Sequence, residues 1–175
     1  FLYGASEIFN GCTFNQTDSN NYNVWTYSAK KVEFNDCTFN SAGKSVLIYH
    51  ENATVFNEVA VKDCEFKASQ AVDGKAAIEM DSSLTAGIKL TIDDKTTVTG
   101  FAAGNVSGNS LWNNKKGNNT DANNDITVVV DNETVLAPVT FVAYNGTTGY
   151  TSIEAAIKAA NAGETVKVLA GEYSM

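Results

Sequence analysis

The chain contains no arginine. All twelve of its basic residues are lysine, set against twenty aspartates and glutamates, for a formal net charge of −8. An acidic surface without guanidinium groups is poorly matched to phosphate backbones or anionic lipid, so nucleic acid is not an expected partner. There is one histidine, His50, which excludes a Cys/His zinc site of the usual spacing. The three cysteines are an odd set with no second ligand cluster beside them, so neither a disulfide framework nor a bound metal or other cofactor is expected. No run approaches the roughly 18 apolar residues of a membrane span, and no secretory leader pattern is recognisable at the start. One proline in 175 residues leaves long stretches free to pair as strands.

What the chain does have is an internal repeat. Asn10-Gly11-Cys12-Thr13-Phe14, Asn35-Asp36-Cys37-Thr38-Phe39 and Lys62-Asp63-Cys64-Glu65-Phe66 align, with the cysteines at 12, 37 and 64. Steps of 25 and 27 residues lie in the range that marks a solenoid. Before each cysteine, apolar residues alternate as in a strand (Val32 and Phe34; Val59 and Val61). Two turn-forming residues follow, then a second alternating pair. The same pattern continues as Leu90, Ile92, Asp93-Asp94, Lys95, Thr97 and as Val128, Val130, Asp131-Asn132, Glu133, Val135. The first copy is looser, because Glu7 stands where Val32 stands in the second.

A third strand per repeat fits between these anchors: Asn23-Val24-Trp25-Thr26-Tyr27, Ser45-Val46-Leu47-Ile48-Tyr49, Ala76-Ala77-Ile78-Glu79-Met80 and, more weakly, Asn109-Ser110-Leu111-Trp112-Asn113. Alternation across the strand assigns Trp25, Leu47, Ile78 and Leu111 to one inward column, with Tyr27, Tyr49 and Met80 beside it. Three strands per turn, stacked about 4.8 Å apart, predict an all-β fold, a parallel β-helix of about five coils over residues 1–136. Its core is expected to be the ladders Phe14–Phe39–Phe66, Phe9–Phe34–Val61 and Cys12–Cys37–Cys64, each buried ring contributing roughly 1.5–3 kcal/mol. If the register holds throughout, Lys95 and Glu133 face inward as an ion pair one coil apart. The competing expectation is that local bends turn both out to water.

Residues 113–125 are polar and aperiodic, and read as a surface loop; oxygen ligands are present but not in a calcium-loop pattern. Residues 137–150 read as a linker with a strand. In 151–175, Thr151-Ser152-Ile153-Glu154 is a capping box, and Ile153, Ala156, Ile157 and Ala160 share one face of a helix expected over 152–162. Gly163 suits its end. That short helix is expected to cap the C-terminal end of the coil stack, followed by a strand at 165–169.

The Asn-x-Cys-Thr-Phe coils resemble the right-handed β-helix repeats of the pectate-lyase-like superfamily, and those of large bacterial cell-surface proteins in particular, over roughly residues 5–136. The segment from Gly149-Tyr150-Thr151-Ser152-Ile153 through Gly163-Glu164-Thr165-Val166 to Ala170-Gly171-Glu172-Tyr173 is similar to the opening of a new β-helix module in such proteins. The resemblance implies an extracellular, multi-module chain on a bacterial surface, with flanking modules of the same chain as neighbours. Lys95, Thr97 and Glu133 depart from the pattern.

This fold hosts both enzymes and inert stalks, so the residues must separate them. A polysaccharide lyase or glycoside hydrolase of the superfamily would carry acidic residues and a basic partner on one outer face. Glu79 and Asp81 lie two apart on one strand and supply such a carboxylate pair, without a partner across a groove. Ser28, His50 and Asp81 fall in one expected column and have the residue types of a hydrolase triad, but no oxyanion hole accompanies them. The binding expectation is adhesion or contact with glycans or host-surface ligands. Trp112 is expected to point outward beside Asn113 and Asn114, an indole with flanking amides suited to stacking on a sugar ring. A one-residue slip would reverse that facing. The sequence therefore favours a non-catalytic adhesive or spacer segment, with Trp112, Asn113, Asn114, Glu79, Asp81 and His50 as candidate ligand-binding residues and a carbohydrate-active enzyme as the alternative.

Overall fold

A computed structural model describes residues 2–4, 6–50, 57–82, 87–114, 126–138 and 140–173. Of the loop expected at 113–125, Asn113 and Asn114 are strand residues and the remainder lies outside the described residues. Three stacked sheets form a solenoid-like arrangement compatible with a parallel β-helix. The first sheet is Leu2–Tyr3, Val24–Tyr27, Val46–His50, Ile78–Ser82 and Trp112–Asn114, all parallel. The second is Ser6–Asn10, Lys31–Asn35, Asn57–Lys62, Ile88–Ile92 and Ile126–Val130, parallel, with Glu133–Leu136 added antiparallel at its end. The third is Thr13–Asn15, Thr38–Ser41, Glu65–Ala68 and Thr97–Thr99.

Strand registers place like residues on like. Phe14, Phe39, Phe66 and Val98 form one inward column, and Phe9, Phe34, Val61, Ile92 and Val130 another. Within columns the rings stack: Phe14 on Phe39 at 4.8 Å and 11°, Phe39 on Phe66 at 4.6 Å and 7°, Phe9 on Phe34 at 5.4 Å and 13°. Between columns they meet edge to face, as Phe34 does with Phe39 at 5.2 Å and 79°. Both geometries suit the ring quadrupole. The bend from the second sheet to the third requires a left-handed residue, filled by Gly11, Asp36 and Asp63 at φ of 62°, 53° and 52°. Glycine and aspartate tolerate that region better than most residues.

The repeat changes at the fourth coil. Cys64 donates its N–H to Thr96 Oγ1, and Phe66 pairs with Val98, so the cysteine and phenylalanine columns pass to Thr96 and Val98 rather than to Lys95 and Thr97. One extra residue sits in the bend. The Asp93 carboxylate organises it, accepting from the N–H of Asp63 (3.1 and 2.9 Å) and from the N–H and hydroxyl of Thr96. Lys95 is thereby turned to solvent. Asp131 and Asn132, at φ of 48° and 64°, form a tight hairpin turn that reverses the chain, and Glu133 is exposed on the antiparallel strand that follows. The inward Lys95–Glu133 pair is not formed; the local bends decide.

A second correction concerns the helix. It spans Ile153–Ala159, with Ser152 as N-cap accepting from the Ala155 N–H at 3.0 Å. Its substantial contacts are with a separate antiparallel sheet of Thr148–Tyr150, Ala143–Asn145 and Val166–Val168, not with the coil stack. Ala156 and Ala143 are fully buried there, whereas Ile157, on the expected buried stripe, is 60% exposed. At the C-terminal end of the stack it is the Glu133–Leu136 strand that covers the second sheet's edge, and Leu136 packs against the core. An edge strand left bare would expose unpaired backbone groups.

Phe39 is fully buried between Phe14 and Phe66. Phe39→Ala should therefore destabilise the protein by about 3–5 kcal/mol in denaturant unfolding. Glu133→Ala should change stability by no more than about 0.5 kcal/mol. A loss of several kcal/mol from Glu133→Ala would restore the inward pair and overturn the hairpin.

Candidate functional site

The outer face of the first sheet carries the chain's main exposed aromatic cluster among the described residues. The registers place Val24, Val46, Ile78 and Trp112 in one inward column and Thr26, Ile48, Met80 and Asn114 in the next. All of these are buried except Trp112, which is partly buried and packs against the core. The outward columns are Trp25–Leu47–Glu79–Asn113 and Tyr27–Tyr49–Asp81. Trp25, Leu47, Tyr27 and Tyr49 thus face the opposite way from the expected inward column, and Trp112 the opposite way from the expected outward one. Both correct the same one-residue slip.

The aromatic cluster is compact. Trp25 lies edge-on to Tyr49 at 5.8 Å and 86° and to Tyr27 at 6.1 Å and 62°, while Tyr27 and Tyr49 sit 5.2 Å apart across adjacent coils. Trp25 is 39% exposed, and Leu47, its neighbour in the column, is buried at 8%. Asp81, partly exposed, lies beside Tyr49 in register. Tyr22, on the loop leading into Val24–Tyr27, reaches the same region. Burial, and then the charges of Glu79 and Asp81, push its phenol well above the usual tyrosine range. Lys44 Nζ sits 5.8 Å over the Tyr22 ring and donates to the Asn20 carbonyl. Rings, one accessible carboxylate and a lysine ammonium together offer stacking faces and hydrogen-bonding groups to a flat, hydroxyl-rich ligand.

The other candidates separate. Glu79 is fully buried: Oε1 accepts from the Ala76 N–H at 2.8 Å, and Oε2 accepts from Asn113 Nδ2 at 3.1 Å and faces Lys75 Nζ at 3.7 Å. Asn113 and Asn114 are buried as well. The structure thus joins Glu79 to Asn113 but removes both from the surface. His50 stands in register with Ser82, and Asp81 with Tyr49, so the column Ser28–His50–Asp81 does not exist; the His50 side chain lies outside the described residues. No group of three or more His, Cys, Asp or Glu side chains is placed to hold a metal ion among the described residues, and no helix there is long and apolar enough to cross a membrane. No protein-family model, curated protein or solved structure matches the chain.

The cysteines stack as expected but are not equivalent. All three are free; Cys37 and Cys64 are buried and Cys12 only partly so. The Cys37 and Cys64 thiols each donate to carbonyls of their own and the preceding coil. Desolvation raises the Cys37 thiol and pushes Cys64 up to about 11. Both are therefore protonated and unreactive at neutral pH. Alkylation of the native protein near pH 8 should modify Cys12 first and reach Cys37 and Cys64 only on denaturation. Rapid labelling of Cys64 in the native state would contradict the column.

Proposed function

We propose that this chain is a non-catalytic β-helix segment of an extracellular bacterial surface protein, akin to the pectate-lyase-like repeats its coils resemble, and that it contacts glycan through the outer face of its first sheet. The observation that carries this reading is the Trp25–Tyr27–Tyr49 cluster. Trp25 is partly exposed and edged by two tyrosines, and aromatic rings with a polar rim are the common chemistry of recognition surfaces. The nearby Asp81 and the net charge of −8 favour a neutral sugar polymer over a uronic or phosphorylated one. Support for a binding rather than a hydrolytic role comes from Glu79, whose carboxylate is enclosed and engaged, so that the Glu79/Asp81 pair is not presented to a substrate.

The test is a glycan-array screen followed by calorimetric titration of the best hit. Trp25→Ala should weaken binding by about tenfold or more and leave the fold intact, because the side chain faces outward. Equal binding by the variant would reject this face. Release of new reducing or unsaturated sugar ends during the same incubation would favour the enzyme alternative.

A further inference from the structure

Beside the outer face, and independently of what that face binds, one buried carboxylate, Glu79, lies against both a lysine and an asparagine. Lys75 Nζ lies 3.7 Å from Glu79 Oε2, and the same oxygen accepts from Asn113 Nδ2 at 3.1 Å. Glu79 and Asn113 are fully buried, and the Lys75 side chain is 24% exposed. The Asn113 carboxamide is held at both ends. Its oxygen accepts from the backbone N–H groups of Val106 and Ser107, both at 3.1 Å. Its nitrogen donates to Glu79 and to Asn105 Oδ1 at 3.0 Å. These partners fix the amide orientation, since two donors face the oxygen and two acceptors the nitrogen. Gly104 makes the close fit possible: a Cβ there would lie 2.5–2.6 Å from the Asn113 side chain.

We infer that Lys75 and Asn113 are joined by an intramolecular isopeptide bond, with Glu79 as the proton-transferring group. Glu79 takes a proton from the Lys75 ammonium, leaving a lone pair on Nζ. That nitrogen attacks Asn113 Cγ, and the carbonyl electron pair moves onto Oδ1. The Val106 and Ser107 N–H groups stabilise the developing oxyanion in the manner of an oxyanion hole. As the intermediate collapses, the Cγ–Nδ2 bond breaks, and Glu79 passes protons from Nζ to the departing nitrogen. One C–N bond forms and one breaks. The ammonium and the carboxamide become a secondary amide and an ammonium ion, with no redox change and no outside reactant. Burial excludes the water that would otherwise compete for the amide carbon, and the fold holds the groups together as an intramolecular reaction requires. Glu79 and Asn113 are register partners in adjacent coils, so the bond would fasten one coil covalently to the next.

The test needs only the intact protein. Mass spectrometry of the denatured chain should show a deficit of one ammonia, and proteolysis should yield a branched peptide joining Lys75 to residue 113. Lys75→Arg preserves the charge opposite Glu79 but supplies a guanidinium, a poor nucleophile, so it should restore the full mass in a folded protein. An unreduced mass in the native protein would overturn the proposal. So would a deficit without the branched peptide, which would indicate a cyclic imide at an asparagine instead, or a deficit that persists unchanged in Lys75→Arg.

Discussion

Stacking each strand on its counterpart about 4.8 Å away is the constraint on which the rest depends. In-register parallel stacking allows no freedom of choice at an inward position. Whatever fills it must fit against the residues one coil before and one coil after. Phenylalanine on phenylalanine satisfies this through parallel offset rings, and the Phe14–Phe39–Phe66 column shows centroid spacings of 4.8 and 4.6 Å. On the outward side of the corners asparagine stacks on asparagine as amide ladders, Asn35 donating to Asn10 and Asn40 to Asn15. Asn23 crosses between sheets, donating to the carbonyls of Phe14 and Asn40 at 3.0 and 2.9 Å. The Asn23 bonds thereby join backbone carbonyls of two successive coils.

The same constraint shapes the outer faces. A residue placed outward on one coil has a neighbour of fixed position on the next, so Tyr27, Tyr49 and Asp81 are aligned by the backbone rather than by their own side-chain preferences. A rigid scaffold presenting aromatic groups in a row loses little conformational entropy on binding an extended ligand. It also brings Glu79 against Asn113 across adjacent coils, where both side chains are buried and hydrogen-bonded.

The sequence made the second and third sheets legible because one face of each strand is apolar and the other polar. Val32/Phe34 against Glu33, with a left-handed residue at the first three bends (Gly11, Asp36, Asp63), leaves one register. The first sheet was ambiguous for the opposite reason. In Val46-Leu47-Ile48-Tyr49 both faces are apolar, so alternation assigns no inside, and the structure turns Trp25 and Leu47 outward against the expectation. The outward aromatics still left a trace: residues 25, 27 and 49 are all large rings, while 24, 26, 46 and 48 are β-branched residues of core size. The fourth-coil shift to Thr96 was hidden because a single inserted bend residue moves every later position by one. The capping box and apolar stripe announce a helix but not its neighbour, since an apolar stripe says that something covers it, not what.

The central claim is that the register places the phenylalanine ladder inside and Trp25 with its tyrosines outside. Nuclear Overhauser contacts among aromatic side chains test this directly. The account predicts a chain of contacts from Phe14 through Phe39 to Phe66, a separate set linking Trp25, Tyr27 and Tyr49, and none between the two sets. A contact between the Trp25 indole and the phenylalanine ladder would contradict it.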